Sequence, residues 1–223
     1  MTDTLTFSNA QKPGPVVLTG HYGRVEKLDP ARHGAALWTE MKVEPTLWDY
    51  MSYGPFQSEE QFQSWLAERA SLTDPYAYAV VAPDGRALGI AALMRITPEM
   101  GVIEVGHITY SPALQRTPLG TEAQFLLARY AFDTLGYRRY EWKCNALNAA
   151  SRRAAERYGF TFEGTFRQHM IVKGKNRDTA WYSIIDTEWP ARRASFERWL
   201  APSNFEAQGR QKASLASFMT ASG

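Results

Sequence analysis

The segment Gln115-Arg116-Thr117-Pro118-Leu119-Gly120-Thr121 lies between the end of an apolar β-type run and the start of the longest helical pattern in the chain. Backbone N–H groups at a helix N-terminus have no intrahelical partner and carry the positive end of the macrodipole, so this turn can hold a pyrophosphate. It can equally be a plain strand-to-helix connection. Thr117-Pro118 reads as an N-cap followed by proline at the first helical position, while Thr121 to Gln124 offers a second start one turn later. Residues 1–136 carry 10 basic and 15 acidic side chains, whereas residues 137–178 carry 10 basic and 4 acidic ones. That asymmetry points either to an anionic ligand near the second region and a cationic one near the first, or to solvated helix faces. Other reactive side chains are sparse. One cysteine, Cys144, excludes an internal disulfide, and four histidines beside it show no zinc-ligand spacing, so no metal is expected.

The elements that must position these groups follow from composition and periodicity. With 223 residues, 44% apolar and 22% charged, the chain matches one soluble globular domain with a sizeable core and excludes disorder and coiled coil. No apolar run approaches the roughly 18 residues of a membrane span, and Met1 to Pro15 has no apolar signal core, so no membrane role and a cytoplasmic location are expected. A β-rich stretch over residues 16–27 precedes Asp29-Pro30, an N-cap and first-position proline for a helix over 30–41. Ser58 to Gln61 forms a capping box for a helix through Arg69. Apolar runs over 76–82, 86–96 and 102–110 read as an antiparallel meander, the first two joined by Pro83-Asp84-Gly85. Helical spacing runs from Leu119 to Leu135 and stops at Gly136, and alternation marks a strand over 139–144. A helix over 149–158, strands over 160–167, 169–172 and 179–186, and a helix over 188–200 broken near Pro190 complete the order. A helix between the fourth and fifth main strands implies one parallel pair inside a mostly antiparallel sheet. The fold class is therefore α/β (α+β), with an N-terminal segment 1–15, a domain 16–200 and a loosely attached tail 201–223.

Two motifs carry a family resemblance. Gln115 and Gly120 match the first and last fixed positions of the acyl-CoA signature of the GNAT superfamily of N-acetyltransferases, with Pro118 standing where that signature has its first glycine. Asn148-Ala149-Ala150-Ser151 followed by Arg157-Tyr158-Gly159-Phe160 resembles the family's asparagine-led helix ending in Gly-Phe, 33 residues further on. The similarity runs from about Val16 to Trp189. Glu163-Gly164, Arg167, Arg177-Asp178-Thr179 and Tyr182-Ser183 look like the Rim-type branch, which includes enzymes acetylating the N-termini of ribosomal proteins.

The resemblance implies acetyl-CoA as cosubstrate, a central strand pair that splays apart, and pantetheine added to the exposed strand edge at Ile108, Thr109 and Tyr110. It implies phosphate contacts from the turn Gln115, Arg116, Thr117, Pro118, Leu119, Gly120 and Thr121, with Arg152 and Arg153 as further candidates, and coenzyme contacts at Asn148 and Ser151. A neutral amine would attack the thioester directly, backbone N–H groups steadying the oxyanion. Glu104 falls where relatives place a water-linked base, although its period-2 position also suits a satisfied charge on a half-buried face. His107 competes for that role, and strand alternation puts the two on opposite faces. The tyrosine that many relatives use as general acid falls at Ala155 and is absent; Tyr158 is read as packing, and Ser151 is the matching acid of Rim-type relatives. Cys144 is read as a small core residue. Trp38, Trp48, Tyr50 and Tyr53 roof the acceptor groove or close the core, with Glu44 and Asp49 available to attract a cation. An α-amine, titrating near 8, needs less help from a base than a lysine near 10.4, which leans the acceptor toward a peptide N-terminus or another small, less basic amine. The alternatives are a catalytically idle acyl-CoA-binding or sensing protein and a salt-dependent nucleic-acid binder, for which no specific motif is present. The tail and the apolar strand edges are the candidate surfaces for a homodimer.

Overall fold

The computed structural model describes residues 6–220. The first five residues of the expected N-terminal segment and the last three of the expected tail lie outside the described residues. One eight-stranded sheet runs through the protein in the order β1-β2-β3-β4-β5-β6-β8-β7. Its strands are β1 (Val17–Thr19), β2 (Arg24–Lys27), β3 (Tyr76–Val81), β4 (Ala87–Thr97), β5 (Val102–Tyr110), β6 (Arg139–Asn145), β7 (Thr161–Val172) and β8 (Lys175–Ile185). All neighbours are antiparallel except β5 and β6, as the helix between them requires. The helices are α1 (Pro30–Met41), α2 (Glu59–Ser71), α3 (Pro118–Arg129), α4 (Ala149–Arg157), α5 (Trp189–Leu200) and α6 (Leu215–Thr220). No helix among the described residues is long and apolar enough to cross a membrane.

Each face of the sheet carries its own core. Helices α1 and α2 cover one face, where Leu37, Met41, Phe62 and Leu66 pack on Ala77, Ala79, Ile90 and Ala92. Helices α3 and α5 cover the other, where Leu126, Leu127, Phe196 and Trp199 join Tyr78, Val80, Leu93, Ile103 and Val105 in the larger cluster. Alternation along β3 and β4 sends successive side chains to these two cores.

The structure departs from sequence expectation at five places. The strands expected over 160–167 and 169–172 are one strand, β7, bent by its register breaks, and β8 starts at Lys175 rather than at 179. The stretch over 16–27 is two strands rather than one, because the Glu122 carboxylate of α3 accepts the His21 and Tyr22 N–H groups (2.6 and 2.8 Å) and folds the chain back between them. The helix ending at Gly136 becomes a π-turn over Tyr130–Thr134 after Arg129. Pro190 starts α5 instead of breaking it, since a missing N–H costs nothing in a first turn. Residues 201–220 are docked rather than loosely attached. Leu215 and Met219 are buried against the larger core, and the Asn204 amide donates to the Trp199 and Ala213 carbonyls (3.0 and 3.2 Å). Alanine and serine supplied no periodicity there, while the short apolar helix α6 found a face of α5. Residues 6–15 are likewise tied down, Ala10 N–H to Pro98 and Gln11 N–H to Leu135.

Candidate active site

Strands β5 and β6 are paired only from Val102/Arg139 to Val105/Trp142. Beyond that point β5 continues to Tyr110 and β6 to Asn145 without a ladder between them, so a gap opens in the middle of the sheet. β5 also carries a bulge against β4, between the pairs Ala92↔Gly106 and Ile90↔Thr109, with His107 in the left-handed region at φ 49°. Such a backbone costs a non-glycine residue roughly 1–3 kcal/mol and persists only where surroundings fix it.

The bulge overturns the expectation that Glu104 and His107 lie on opposite faces. The extra residue turns the imidazole onto the α1/α2 side, where it lines a narrow pocket with Tyr53, Trp65, Arg69, Ile90 and Ala92. Its Nδ1 lies 2.8 Å from the Tyr53 hydroxyl, and the two rings stack. Burial, reinforced by the charges of Arg69, Arg95 and Arg177, holds the His107 pKa down at about 4, so the imidazole is neutral at pH 7. Burial raises the Tyr53 phenol well above its ordinary range, and Thr109 adjoins that hydroxyl. Thr109 Oγ1 is itself buried and without a hydrogen-bond partner among the described residues.

On the same face, Glu104 is 3% exposed and sits 2.6 Å from Arg95 Nη1 and 3.0 Å from Lys143 Nζ. Lys143 also reaches Glu141 at 2.6 Å, and Arg139 joins Glu141 to Glu163. Period-2 alternation aligns Arg139, Glu141 and Lys143 on one side of β6 and Trp142 and Cys144 on the other.

Ser151 belongs to that other side. Asn148 caps α4 by accepting the Ser151 N–H at 3.0 Å, and Ser151 Oγ accepts from Trp142 Nε1 at 3.0 Å. Cys144 is buried beside the same hydroxyl, its pKa raised by that burial. Glu104 and Ser151 therefore flank the gap from opposite faces. The turn after β5 is capped by Thr117, which settles the start of α3 one turn before Thr121. Thr117 Oγ1 accepts the Gly120 N–H at 3.1 Å, and the Gln115 side chain donates to the Tyr110 carbonyl at 2.9 Å. Arg116 is exposed at φ 60°, Leu119 is buried, and Thr121 Oγ1 accepts from Arg157, tying α3 to α4 at 3.0 Å. Arg152 bonds the Tyr182 hydroxyl at 3.1 Å, while Arg153 is exposed. Ile108 is half-buried at the gap, and the Tyr110 hydroxyl accepts from Gln124 at 2.6 Å. A Cβ on Gly120 would stand 2.8 Å from the Leu114 carbonyl oxygen. Gly120→Ala should therefore shift the first turn of α3 and lower the melting temperature, with about 1 kcal/mol lost; a variant melting like the wild type would show that the turn yields freely.

The aromatic candidates separate. Trp48 is buried among Phe56, Phe62 and Trp65 and serves the core, whereas Tyr53 alone reaches the pocket. Tyr50 donates across the cleft to the Leu147 carbonyl at 3.2 Å, and Lys173 on the β7–β8 turn donates to the Trp48 carbonyl at 2.9 Å. Glu44 caps a 3-10 turn by accepting from Thr46 and is not aimed at the pocket. Sequence reasoning gave no site role to Arg69, Arg95, Lys143 or Arg177, the last named only within the Rim-type pattern. The alternating charges of β6 were the available signal for Lys143; the others depend on which elements meet. Among the described residues there is no group of three or more His, Cys, Asp and Glu side chains that could hold a metal.

A mixed sheet parted at its one parallel pair, with a capped helix leading away from the mouth, defines the acyl-CoA N-acyltransferase class of α/β fold. The Acetyltransferase (GNAT) domain profile matches residues 26–161. The crystal structure of a GCN5-related N-acetyltransferase from Brucella melitensis superposes with a TM-score of 0.94 at 46% identity, covering 96% of this chain and 98% of that one. YdaF of Bacillus subtilis (strain 168), named provisionally as a ribosomal N-acetyltransferase, is 26% identical over 152 residues, 60% of this chain and 82% of its own. RimL, the ribosomal L7/L12 alpha-N-protein acetyltransferase, shares the fold with a TM-score of 0.66 at 20% identity, over 76% of this chain and 94% of its own. The chain belongs to the GNAT acetyltransferase family.

Proposed function

We propose that this protein is an acetyl-CoA-dependent N-acetyltransferase that passes the acetyl group directly to a primary amine, a peptide N-terminus or a small amine. The observation that carries this reading is the gap between β5 and β6, flanked by Ser151 on one face and by Tyr53 and His107 on the other. The residues present fit the cosubstrate. The β5 edge beyond Val105 has unpaired backbone for the pantetheine amides at Ile108, Thr109 and Tyr110, and the capped start of α3, Gln115 to Thr121, supplies a positive helix end for the diphosphate. Asn148 holds Ser151 in place through the α4 cap.

The acceptor enters from the α1/α2 face and meets the thioester carbonyl at the bulge, where backbone N–H groups steady the developing oxyanion. We assign proton acceptance to His107 rather than Glu104, because Glu104 is engaged by Arg95 and Lys143. In the competent tautomer Nδ1–H donates to the Tyr53 oxygen, and Nε2 is left as the acceptor. Glu104 is a positioning residue that fixes Lys143 and Arg95. Ser151 stands on the thiol side, where its hydroxyl can protonate the leaving thiolate. Purified protein incubated with acetyl-CoA should release CoA faster when a free α-amine peptide is added than without acceptor, with one acetyl group appearing on the peptide. Tight CoA binding without amine-dependent release would instead support an idle acyl-CoA-binding protein.

A further inference from the structure

On the α1/α2 face of the cleft two cations, Arg69 and Arg177, have no buried carboxylate as a salt-bridge partner among the described residues. Arg69 comes from α2, Arg95 from β4, Lys143 from β6 and Arg177 from β8, and the three arginines lie close enough to His107 to bear on its protonation. Against them stand Glu104 on β5 and Glu141 on β6, which Arg95, Lys143 and Arg139 already engage, Glu163, which Arg139 also binds, and Asp74, whose carboxylate accepts the Arg95 and Ile96 N–H groups. Arg69 pairs only with its neighbour Glu68, whose side chain is 62% exposed. Arg177 lies just past the Asn145↔Thr179 pair that ends the β6–β8 ladder, and alternation along β8 puts it on the side of Trp181 and Lys143.

The hydrogen-bonding groups are as lopsided as the charge. Arg69 Nε, Arg177 Nε, Trp65 Nε1 and Trp181 Nε1 are all buried without a partner. Every one of them is a donor and none can accept. Arg69 and Trp65 line the His107 pocket itself, whose remaining wall is Tyr53, Pro75, Ala77, Ile90 and Ala92. Apart from His107 Nε2, which faces the amine, these unpaired donors find no acceptor in a protonated amine. A carboxylate offers acceptors to donors already desolvated, where charge-assisted hydrogen bonds are strongest.

We infer that the acceptor carries a carboxylate a few bonds from its reacting amine, held by Arg69 and Arg177 while the amine faces His107. This rests on the reading that the amine enters the cleft on the α1/α2 face. Two sources share the chemistry: the α-carboxylate of a free amino acid, and the side chain of an acidic residue at the start of a peptide. Glu44, expected with Asp49 to draw in a cation, is engaged instead as the cap of its 3-10 turn.

Matched pairs of acceptors test this. CoA release is measured for peptides beginning Asp or Asn with otherwise identical, amidated sequences, and for serine against serinamide. In at least one pair the carboxylate member should show kcat/KM higher by about tenfold or more. That ratio should collapse toward one in Arg177→Gln and Arg69→Gln and be partly restored in Arg177→Lys, with melting curves recorded for each variant. A preference in the peptide pair assigns the side-chain source, and one in the serine pair assigns the α-carboxylate. Equal kcat/KM within both pairs, or a preference untouched by both arginine variants, overturns the inference while leaving acetyl transfer intact. If no amine releases CoA, the acetyl-transfer reading fails instead, and calorimetry of wild-type protein with CoA then decides this point separately. N-acetyl-aspartyl peptide binding about tenfold tighter than its asparaginyl counterpart, or N-acetylserine than its amide, upholds the anion site, and equal or absent binding ends it.

Discussion

Lys143→Met should lower the melting temperature by roughly 6–12 °C, the largest stability loss expected from any single change in the cleft. The ammonium is 4% exposed and lies between two buried carboxylates, 3.0 Å from Glu104 and 2.6 Å from Glu141, with the Trp181 ring 3.9 Å beneath it. Removing one member of a buried ionic group costs about 3–5 kcal/mol, because the remaining charges stay desolvated. The lower end applies, since Arg95 and Arg139 still face one carboxylate each. Methionine fills the aliphatic volume, so the loss reports charge rather than a cavity. A thermal melt of the variant beside the wild type measures it. A shift under 2 °C, less than about 1 kcal/mol, would mean that the two arginines alone neutralise the network.

His107→Gln should reduce kcat by about 100-fold or more if the imidazole takes the amine proton. The wild-type pH profile is the sharper readout. Because the folded pKa is held near 4 rather than 6.5, the ring stays neutral through the physiological range, and the rise in rate between pH 5.5 and 8 should follow only the acceptor's amine. The same shift acts on stability. The unfolded chain binds a proton at His107 between pH 6.5 and about 4 that the folded chain refuses, so stability is full above 6.5 and falls with pH across that window, by roughly 3 kcal/mol in total. The variant should lack that part of the acid sensitivity. An inflection near 6.5 in kcat, or unchanged turnover in the variant, would remove His107 from the mechanism.

The sequence carried most of the fold through periodicity and caps. Asp29-Pro30, Ser58 and Thr117-Pro118 start three helices where their side chains can bond the first-turn N–H groups, and the structure has those bonds. β5 runs over Val102–Tyr110 as its apolar run predicts. The candidate site was less legible, for a physical reason. A bulge inserts one residue into the strand period, and nothing in Gly106-His107-Ile108 announces it, so the side-chain faces of β5 come out reversed after Gly106. Arg69, Arg95 and Arg177 are far apart in sequence and stand on three different elements, α2, β4 and β8. Only the closing of α2 and the β7–β8 hairpin over the gap brings them together. The docking of residues 201–220 was hidden in the same way, since six residues of α6 have too few turns to show a face.

The sheet that opens at its centre is guarded at its rims. An eight-stranded open sheet leaves one strand unpaired on each side, and here these are β1 and β7. β1 is three residues long, too short to seed a ladder with another chain. β7 is long and displays Phe162, Phe166 and Ile171 to solvent, yet its register breaks between Phe162 and Gly164 and again between Phe166 and Met170. Each break turns the outward N–H and C=O groups out of line, so no straight run remains for a second strand to copy. The protein can thus keep one pair of strands parted for chemistry while denying its outer strands to aggregation.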